Sequence, residues 1–175
     1  MIIQFCGMSG AGKTTLAEHT KKNLAALSIL VEIIDADDYR KHIIKDLGFS
    51  RADRSENIRR LAFIAGKFSN HNIIPIICAI NPYDDIRQEV KSKYANVKTV
   101  FINCEIKELI KRDTKGLYKK AFLPEGHKDK IHNLTGVNDP FEIPNNPDLI
   151  IETDKETIES SVNKLTTFIL NLKSN

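Results

Sequence analysis

The chain has 175 residues, of which 41% are hydrophobic and 28% are charged, as is typical of one soluble globular domain. Its formal net charge of +3 is too small to indicate nucleic acid as a partner, and no apolar stretch approaches the roughly 20 residues that span a membrane. The three cysteines lie apart in apolar runs, which favours reduced thiols over a disulfide or a zinc site, so we expect a cytoplasmic protein.

Short apolar runs alternate with segments of helical periodicity along the chain. The first run begins at Ile2 and has no basic leader, so it is predicted to be a strand and not a signal peptide. Strands are predicted at residues 2–6, 31–34, 73–80, 97–104 and 149–152. Helices are predicted at residues 13–27 and 51–71 and near the C-terminus, with Ser50 and Asp53 as an N-cap pair. This alternation predicts an α/β fold with an open parallel sheet of about five strands and helices on both faces.

Residues 114–147 break this alternation. The segment has no clear periodicity, and glycines and prolines are scattered through it. A loop of this length inside a compact domain is usually functional, such as a lid, or disordered. We therefore predict one domain over residues 1–175 with a mobile lid at 114–147.

A glycine-rich loop follows the first predicted strand. Residues 7–14, Gly-Met-Ser-Gly-Ala-Gly-Lys-Thr, fit G-x-x-x-x-G-K-[ST], the phosphate-binding loop (P-loop) of P-loop NTPases. The glycines let successive N–H groups turn towards phosphate oxygens, Lys13 reaches the β- and γ-phosphates, and Thr14 offers its hydroxyl to Mg²⁺. The predicted ligands are therefore ATP and Mg²⁺, and the predicted contacts of ATP in and beside the loop are Gly7, Ser9, Gly10, Ala11, Gly12, Lys13, Thr14 and Thr15. The absence of an N-K-x-D sequence and the small size favour a small-molecule kinase over a GTPase.

Three carboxylates, Asp35, Asp37 and Asp38, follow the second predicted strand. Ligands of open parallel sheets bind beyond the carboxyl ends of the strands, so these groups are predicted to face the P-loop. There they can orient an acceptor hydroxyl and hold water on Mg²⁺. The alternative is that they only cap the next helix, and for Asp38 the two interpretations are equally good.

Five further blocks carry a family resemblance. They are DLGFS at 46–50, ADRSENIRR at 52–60, RDTKGLYKKA at 112–121, LTGV at 134–137 and PFEIP at 140–144. With these blocks in this order, the chain resembles the adenylylsulfate kinase family from residue 1 to about residue 152. Enzymes of that family phosphorylate the ribose 3′-hydroxyl of adenylyl sulfate.

The resemblance implies a role for each matching residue. Asp37 would orient the acceptor hydroxyl or act as base, Asp35 would support Mg²⁺ with Thr14, and Arg112 would contact ATP. The acceptor, a small nucleotide-like molecule, would be held by Arg40, Phe49, Arg54, Asn57, Ile80, Lys115 and Leu134. Among these, the arginines and Asn57 would hold its phosphate and sulfate, Phe49 would stack on its base, and Lys115 would close over it from the lid. A homodimer is compatible with the resemblance.

The chain departs from the family pattern at three places near the acceptor. Asp35-Ala-Asp37-Asp38 replaces Asp-Gly-Asp-Asn, and Asn81-Pro82 replaces Ser-Pro. Leu134 stands where the family has an aromatic residue, and the part of the lid before it, residues 122–133, is several residues longer than usual. Because Asn81 cannot form a phosphoester, we expect direct in-line transfer.

These departures leave two alternatives open. One is the same transfer to a related nucleotide conjugate, such as a cytidine diphosphate derivative, and the other is a catalytically silent nucleotide-binding regulatory domain. Individual residues also have simpler interpretations. Phe49 could belong to the core, and Arg59, Arg60 and Arg87 could lie on solvated helix faces.

Overall fold

The computed structural model describes residues 1–174. The strands are β1 (Ile2–Cys6), β2 (Val31–Asp35), β3 (Ile74–Cys78), β4 (Val97–Asn103) and β5 (Leu149–Glu152). The helices are α1 (Lys13–Ala25), α2 (Ala36–His42), α3 (Arg51–Ser69), α4 (Asp84–Lys93), α5 (Ile106–Arg112), α6 (Leu117–Ala121) and α7 (Ile158–Ser174).

The strands form one parallel sheet in the order β2-β3-β1-β4-β5, which confirms the predicted fold class. The register pairs Asp35 with Cys78 and Cys6 with Phe101, so these strands end at the same edge of the sheet. The P-loop and the acidic residues after β2 are thereby brought together, as expected for ligand sites of open α/β sheets.

The central strands β1, β3 and β4 are buried on both faces because they are apolar at most positions. Ile3 and Phe5 belong to one core cluster, which α1 and α7 cover, while Ile2 belongs to a second cluster, which α3 and α4 cover. The two clusters follow from the alternation of side chains along each strand.

Helix α3 begins where the sequence predicts it. The hydroxyl of Ser50 accepts a hydrogen bond from the backbone N–H of Asp53 at 3.1 Å, which confirms the predicted N-cap. The helix buries Ile58, Leu61 and Ala65 at helical spacing against the sheet.

Several predicted boundaries need small corrections. Strand β3 covers residues 74–78 and not 73–80, because the carbonyl of Ile80 already bonds to Gly7 of the P-loop. Helices α1 and α3 each end two residues earlier than predicted, and the next turns contain Ser28 and Asn72 with positive φ. These turns form from local backbone hydrogen bonds that apolar periodicity does not reveal.

The predicted lid segment, residues 114–147, contains one short helix, α6, that the sequence analysis missed. Helix α6 is five residues long, too short to give a periodic pattern. The rest of the segment consists of turns that cross the carboxyl edge of the sheet. Within residues 1–174, no helix combines the length and apolar character needed to cross a bilayer.

Arg87 is fully buried, which corrects its assignment to a solvated helix face. Its guanidinium donates to the carbonyls of Asn81 and Glu142, both at 2.7 Å, and to the carboxylate of Asp84 at 3.0 Å. This side chain joins the loop after β3 to the end of the lid segment. Residue spacing could not predict the link, because Asn81 and Glu142 are far apart in sequence.

We expect Arg87→Met to lower the free energy of unfolding by about 2–4 kcal/mol, because it leaves a carboxylate and two carbonyls without their donor. Urea unfolding followed by circular dichroism measures the change. Arg59→Met is the matched control, since Arg59 is an exposed arginine paired with Glu89 and should cost less than about 1 kcal/mol. Equal losses in the two variants would contradict the role given to Arg87.

Candidate active site

A cavity of about 590 Å³ lies at the carboxyl edge of the sheet, between the P-loop, the end of β2, the end of β3 and the lid segment. Of the sequence-predicted site residues, the cavity brings together Ser9, Gly10, Gly12, Lys13, Thr14, Thr15, Asp35, Asp37, Phe49, Arg54, Ile80, Lys115 and Leu134. Phosphate-binding and acceptor-binding candidates therefore share one space.

The P-loop wraps the N-terminus of α1. Gly7 packs against β4 so closely that a Cβ atom would stand 2.4 Å from the carbonyl oxygen of Ile102, so only glycine fits there. Gly12 caps the helix with φ of +93°, a left-handed conformation that glycine adopts readily. Tyr118 of α6 donates its hydroxyl to the carbonyl of Ser9 at 2.9 Å and ties the lid segment to the loop.

The amine of Lys13 is held by the P-loop itself. It donates to the carbonyls of Gly7 and Met8, each at 2.8 Å. Burial lowers the pKa of Lys13 to about 8, because the loop desolvates the charged form. A bound polyphosphate would supply the opposite charge that this lysine lacks.

Asp35 serves both the helix and the P-loop. Its Oδ1 caps α2 by accepting the N–H of Asp37 at 2.9 Å, and its Oδ2 accepts the hydroxyl of Thr14 at 2.7 Å. The helix cap is therefore Asp35, while Asp37 and Asp38 lie in the first turn. A hydroxyl and a carboxylate this close together are hard oxygen donors that suit Mg²⁺ and the waters around it.

Asp37 faces the cavity and contacts the amine of Lys115 from the lid segment. Asp38 is not among the residues that line the cavity, and its carboxylate lies 3.3 Å from the ring of His42 on the exposed side of α2. The additional negative charge of Asp38 is thus directed away from the acceptor region.

Phe49 is 54% exposed, so it does not belong to the core. The guanidinium of Arg40 lies 4.8 Å from its ring centroid and that of Arg54 lies 5.5 Å from it. Two effects lower the pKa of Arg40: burial, which disfavours the charged form of its guanidinium, and then repulsion by the neighbouring charge of Arg54. An aromatic ring beside two cations can hold a base and an anion together.

Some predicted residues do not line the cavity: Gly7, Ala11, Arg40, Asn57 and Arg112. Arg40 donates to the carbonyls of Leu47 and Gly48 and so supports the loop that carries Phe49. Asn57 is 4% exposed, and its buried Oδ1 has no partner within residues 1–174. Arg112 donates to the carbonyl of Thr153 at 2.7 Å, at the end of β5.

The two positions that depart from the family pattern next to the cavity have different surroundings. Asn81 is 1% exposed and its amide donates to Gln4 in the interior at 3.3 Å, so its side chain is engaged away from the cavity. Leu134 is 5% exposed and packs in the core, although it also lines the cavity. A thiol, Cys78, lines the cavity too, and burial raises its pKa, so it is no nucleophile at neutral pH.

Sequence reasoning missed three groups that support the site. Thr153 bridges Arg112 and the carbonyl of Ala11, and its place directly after a strand was the signal for it. Tyr118 lies in the block at 112–121 that resembles the family, but no role was predicted for its side chain. Asp139 and the carbonyl of Asn133 hold Arg54, and nothing in their spacing indicates that contact.

Comparisons with known proteins agree on one family. A family model described as Adenylylsulphate kinase matches residues 1–152. An adenylyl-sulfate kinase from Microcystis aeruginosa is 43% identical over 159 residues, which cover 91% of this chain and 85% of that protein.

Two further proteins extend the comparison. A probable bifunctional SAT/APS kinase from Sorangium cellulosum is 42% identical, and the match covers 94% of this chain but 27% of that longer protein. An APS kinase from Mycobacterium tuberculosis, solved in complex with AMPPNP and APS, superimposes with a TM-score of 0.89 at 29% identity and covers 97% of this chain and 96% of that one.

Proposed function

The chain belongs to the adenylylsulphate kinase family, and from this we propose that it transfers the γ-phosphoryl group of ATP to the ribose 3′-hydroxyl of adenylyl sulfate. The products are ADP and 3′-phosphoadenylyl sulfate. The observation that carries the proposal is the single cavity in which the P-loop faces both Asp37 and the pairing of Arg54 with Phe49.

The P-loop side binds the donor. The N–H groups of residues 9–14 and the N-terminus of α1 hold the phosphates of ATP, and Lys13 leaves the loop carbonyls to contact the β- and γ-phosphates. Thr14 and Asp35 would hold Mg²⁺, which supplies positive charge to the migrating group. Arg112, which Thr153 holds at the end of β5, would contact the nucleotide beyond the loop.

The acceptor side orients the hydroxyl that is phosphorylated. Phe49 stacks on the base, and Arg54 and Lys115 pair with the phosphosulfate anion. Arg40 acts mainly by supporting the loop of Phe49, and the buried Asn57 lies outside the cavity lining. Asp37 accepts the hydrogen bond of the 3′-hydroxyl and can take its proton as the new O–P bond forms and the bond to the β-phosphate oxygen breaks.

Lys115 links acceptor binding to the lid. Its amine is paired with Asp37, and an anionic acceptor offers it a second partner. We expect the lid segment to close over the acceptor as Lys115 changes partner, which excludes water from the transfer.

A related nucleotide conjugate is the second candidate acceptor, and one residue favours it. Leu134 presents an aliphatic side chain where the family has an aromatic one, so the base has one aromatic face, which costs roughly 0.5–1.5 kcal/mol of stacking. The charge-assisted contacts of Arg54 and Lys115 remain and dominate affinity. A cytidine diphosphate conjugate could therefore be accepted beside adenylyl sulfate.

Acceptor-dependent ADP release tests the proposal. The protein is incubated with MgATP and, in turn, adenylyl sulfate, a matched cytidine diphosphate conjugate and no acceptor, and the phosphorylated product is identified by mass spectrometry. We expect the fastest ADP release with adenylyl sulfate. Turnover of the cytidine conjugate alone would move the assignment to the second candidate, and no stimulation by either would favour a catalytically silent nucleotide-binding domain.

A further inference from the structure

Arg54 is held in place by the lid segment and not only by its own helix. Its Nη2 donates to the carbonyl of Asn133 at 2.6 Å and its Nε donates to the carbonyl of Phe49 at 3.0 Å. The same Nε lies 3.4 Å from Oδ2 of Asp139, and the side chain of Arg54 is 10% exposed. Within residues 1–174, Nη1 has no hydrogen-bond partner, and Arg54 is among the residues that line the cavity.

Asp139 is itself fixed from several sides. Its backbone N–H donates to the carbonyl of Leu134 at 3.2 Å, and its own carbonyl accepts the N–H of Gly136 at 2.7 Å, which closes a tight turn. Its Oδ2 also lies within 3.4 Å of the hydroxyl of Tyr83 and 3.5 Å of that of Thr135. A carboxylate held by a turn and two hydroxyls is a rigid partner for a guanidinium.

We propose that Asp139 is a positioning residue for acceptor binding, which fixes the guanidinium plane of Arg54 so that Nη1 points at the anion of the acceptor. This inference rests on the proposed function. The carbonyls of Phe49 and Asn133 accept from Nε and Nη2, and the carboxylate of Asp139 adds an opposite charge 3.4 Å from Nε. Together these contacts leave the planar guanidinium one orientation, so little rotamer freedom is lost when the acceptor binds. Asp139 acts through Arg54 and does not itself contact the acceptor.

The sign of the effect separates positioning from a purely electrostatic role. Asp139 carries the same charge as the acceptor, so its removal would strengthen acceptor binding if only long-range charge mattered. Loss of orientation has the opposite effect, because two neutral carbonyls alone would hold the guanidinium of Arg54 less firmly than the carbonyls and the carboxylate together. The two roles therefore predict opposite changes in the KM of the acceptor.

The test compares Asp139→Asn and Asp139→Glu with the wild type in the acceptor-dependent ADP assay. The first variant keeps the size of the side chain and removes its charge, and the second keeps the charge and moves the carboxylate. We expect both to raise the KM of adenylyl sulfate about tenfold, with the KM of ATP changed less than about twofold. Asp85→Asn is the matched control, because Asp85 pairs with exposed Arg51 near the same loop and should leave both KM values unchanged.

An unchanged or lower acceptor KM in Asp139→Asn would overturn the proposal, and so would equal increases in the two KM values, which indicate a loosened fold. If that variant does not fold, an unchanged acceptor KM in Asp139→Glu overturns it. A wild type that shows no turnover of adenylyl sulfate contradicts the proposed function alone. In that case, calorimetry measures the affinity of the wild type and the variants for adenylyl sulfate with ADP bound, and weaker binding by the variants supports the role of Asp139. If the wild type does not bind adenylyl sulfate, the proposal for Asp139 is overturned as well.

Discussion

Lys13→Ala should lower kcat by roughly 10³-fold, the largest effect of any substitution proposed for this protein. The transferred phosphoryl group carries its charge on equatorial oxygens in the transition state, and the Lys13 amine is the one cation that the P-loop supplies from inside the cavity. Lys115 does not take its place, because on the acceptor side it pairs with Asp37 or with the acceptor anion. Initial rates of ADP release at saturating ATP and acceptor measure the change.

Lys21→Ala is the control for Lys13→Ala. Lys21 lies on the same helix, and its amine pairs with Glu32 at 3.0 Å near the surface. Its removal should leave kcat unchanged, and thermal unfolding of both variants excludes a general loss of structure. A decrease in kcat of less than about tenfold for Lys13→Ala would mean that its charge does not follow the migrating group.

Asp37→Asn should lower kcat by roughly 10²-fold while the KM of ATP stays close to the wild-type value. The amide can still accept a hydrogen bond from the acceptor hydroxyl, but it cannot take the proton. The P-loop contacts are not touched by the substitution, since the hydroxyl of Thr14 bonds to Asp35 and not to Asp37. Steady-state kinetics with each substrate varied in turn separates the two parameters.

Asp38→Asn provides a closely matched comparison. Asp38 is the adjacent carboxylate of the same helical turn, it is exposed, and it faces His42 instead of the cavity. We expect unchanged kinetics for this variant. If Asp37→Asn retains full turnover, or if the two variants lose activity equally, the role assigned to Asp37 is wrong.

The sheet and the P-loop could be predicted from the sequence because their signals are local. Buried parallel strands are continuous apolar runs, and the P-loop motif specifies its own backbone path between β1 and α1. The first turn of α2 was harder, since Asp35, Asp37 and Asp38 have the same chemistry. The structure separates them by direction: Asp35 points at Thr14, Asp37 at Lys115 and Asp38 at His42.

The supports of the acceptor site could not be predicted, because their partners are distant in sequence. Arg54 bonds to Asn133, 79 positions later, and Arg87 bonds to Glu142, 55 positions later. Periodicity and motif spacing report on contacts within one element, whereas these contacts depend on how the lid segment packs. The resemblance to a family placed Arg54 near the acceptor but said nothing about what fixes its orientation.

The contact between Lys115 and Asp37 also bears on what happens to ATP when no acceptor is present. A carboxylate engaged by an ammonium group is less available to accept a hydrogen bond, so the group that would activate a hydroxyl in the proposed reaction is less accessible to a stray water molecule. In the proposed reaction, an arriving acceptor anion would compete for Lys115 and release Asp37 when the acceptor hydroxyl takes the place of water. We therefore expect the ion pair to suppress wasteful hydrolysis of ATP and to couple the reactivity of Asp37 to occupancy of the acceptor pocket.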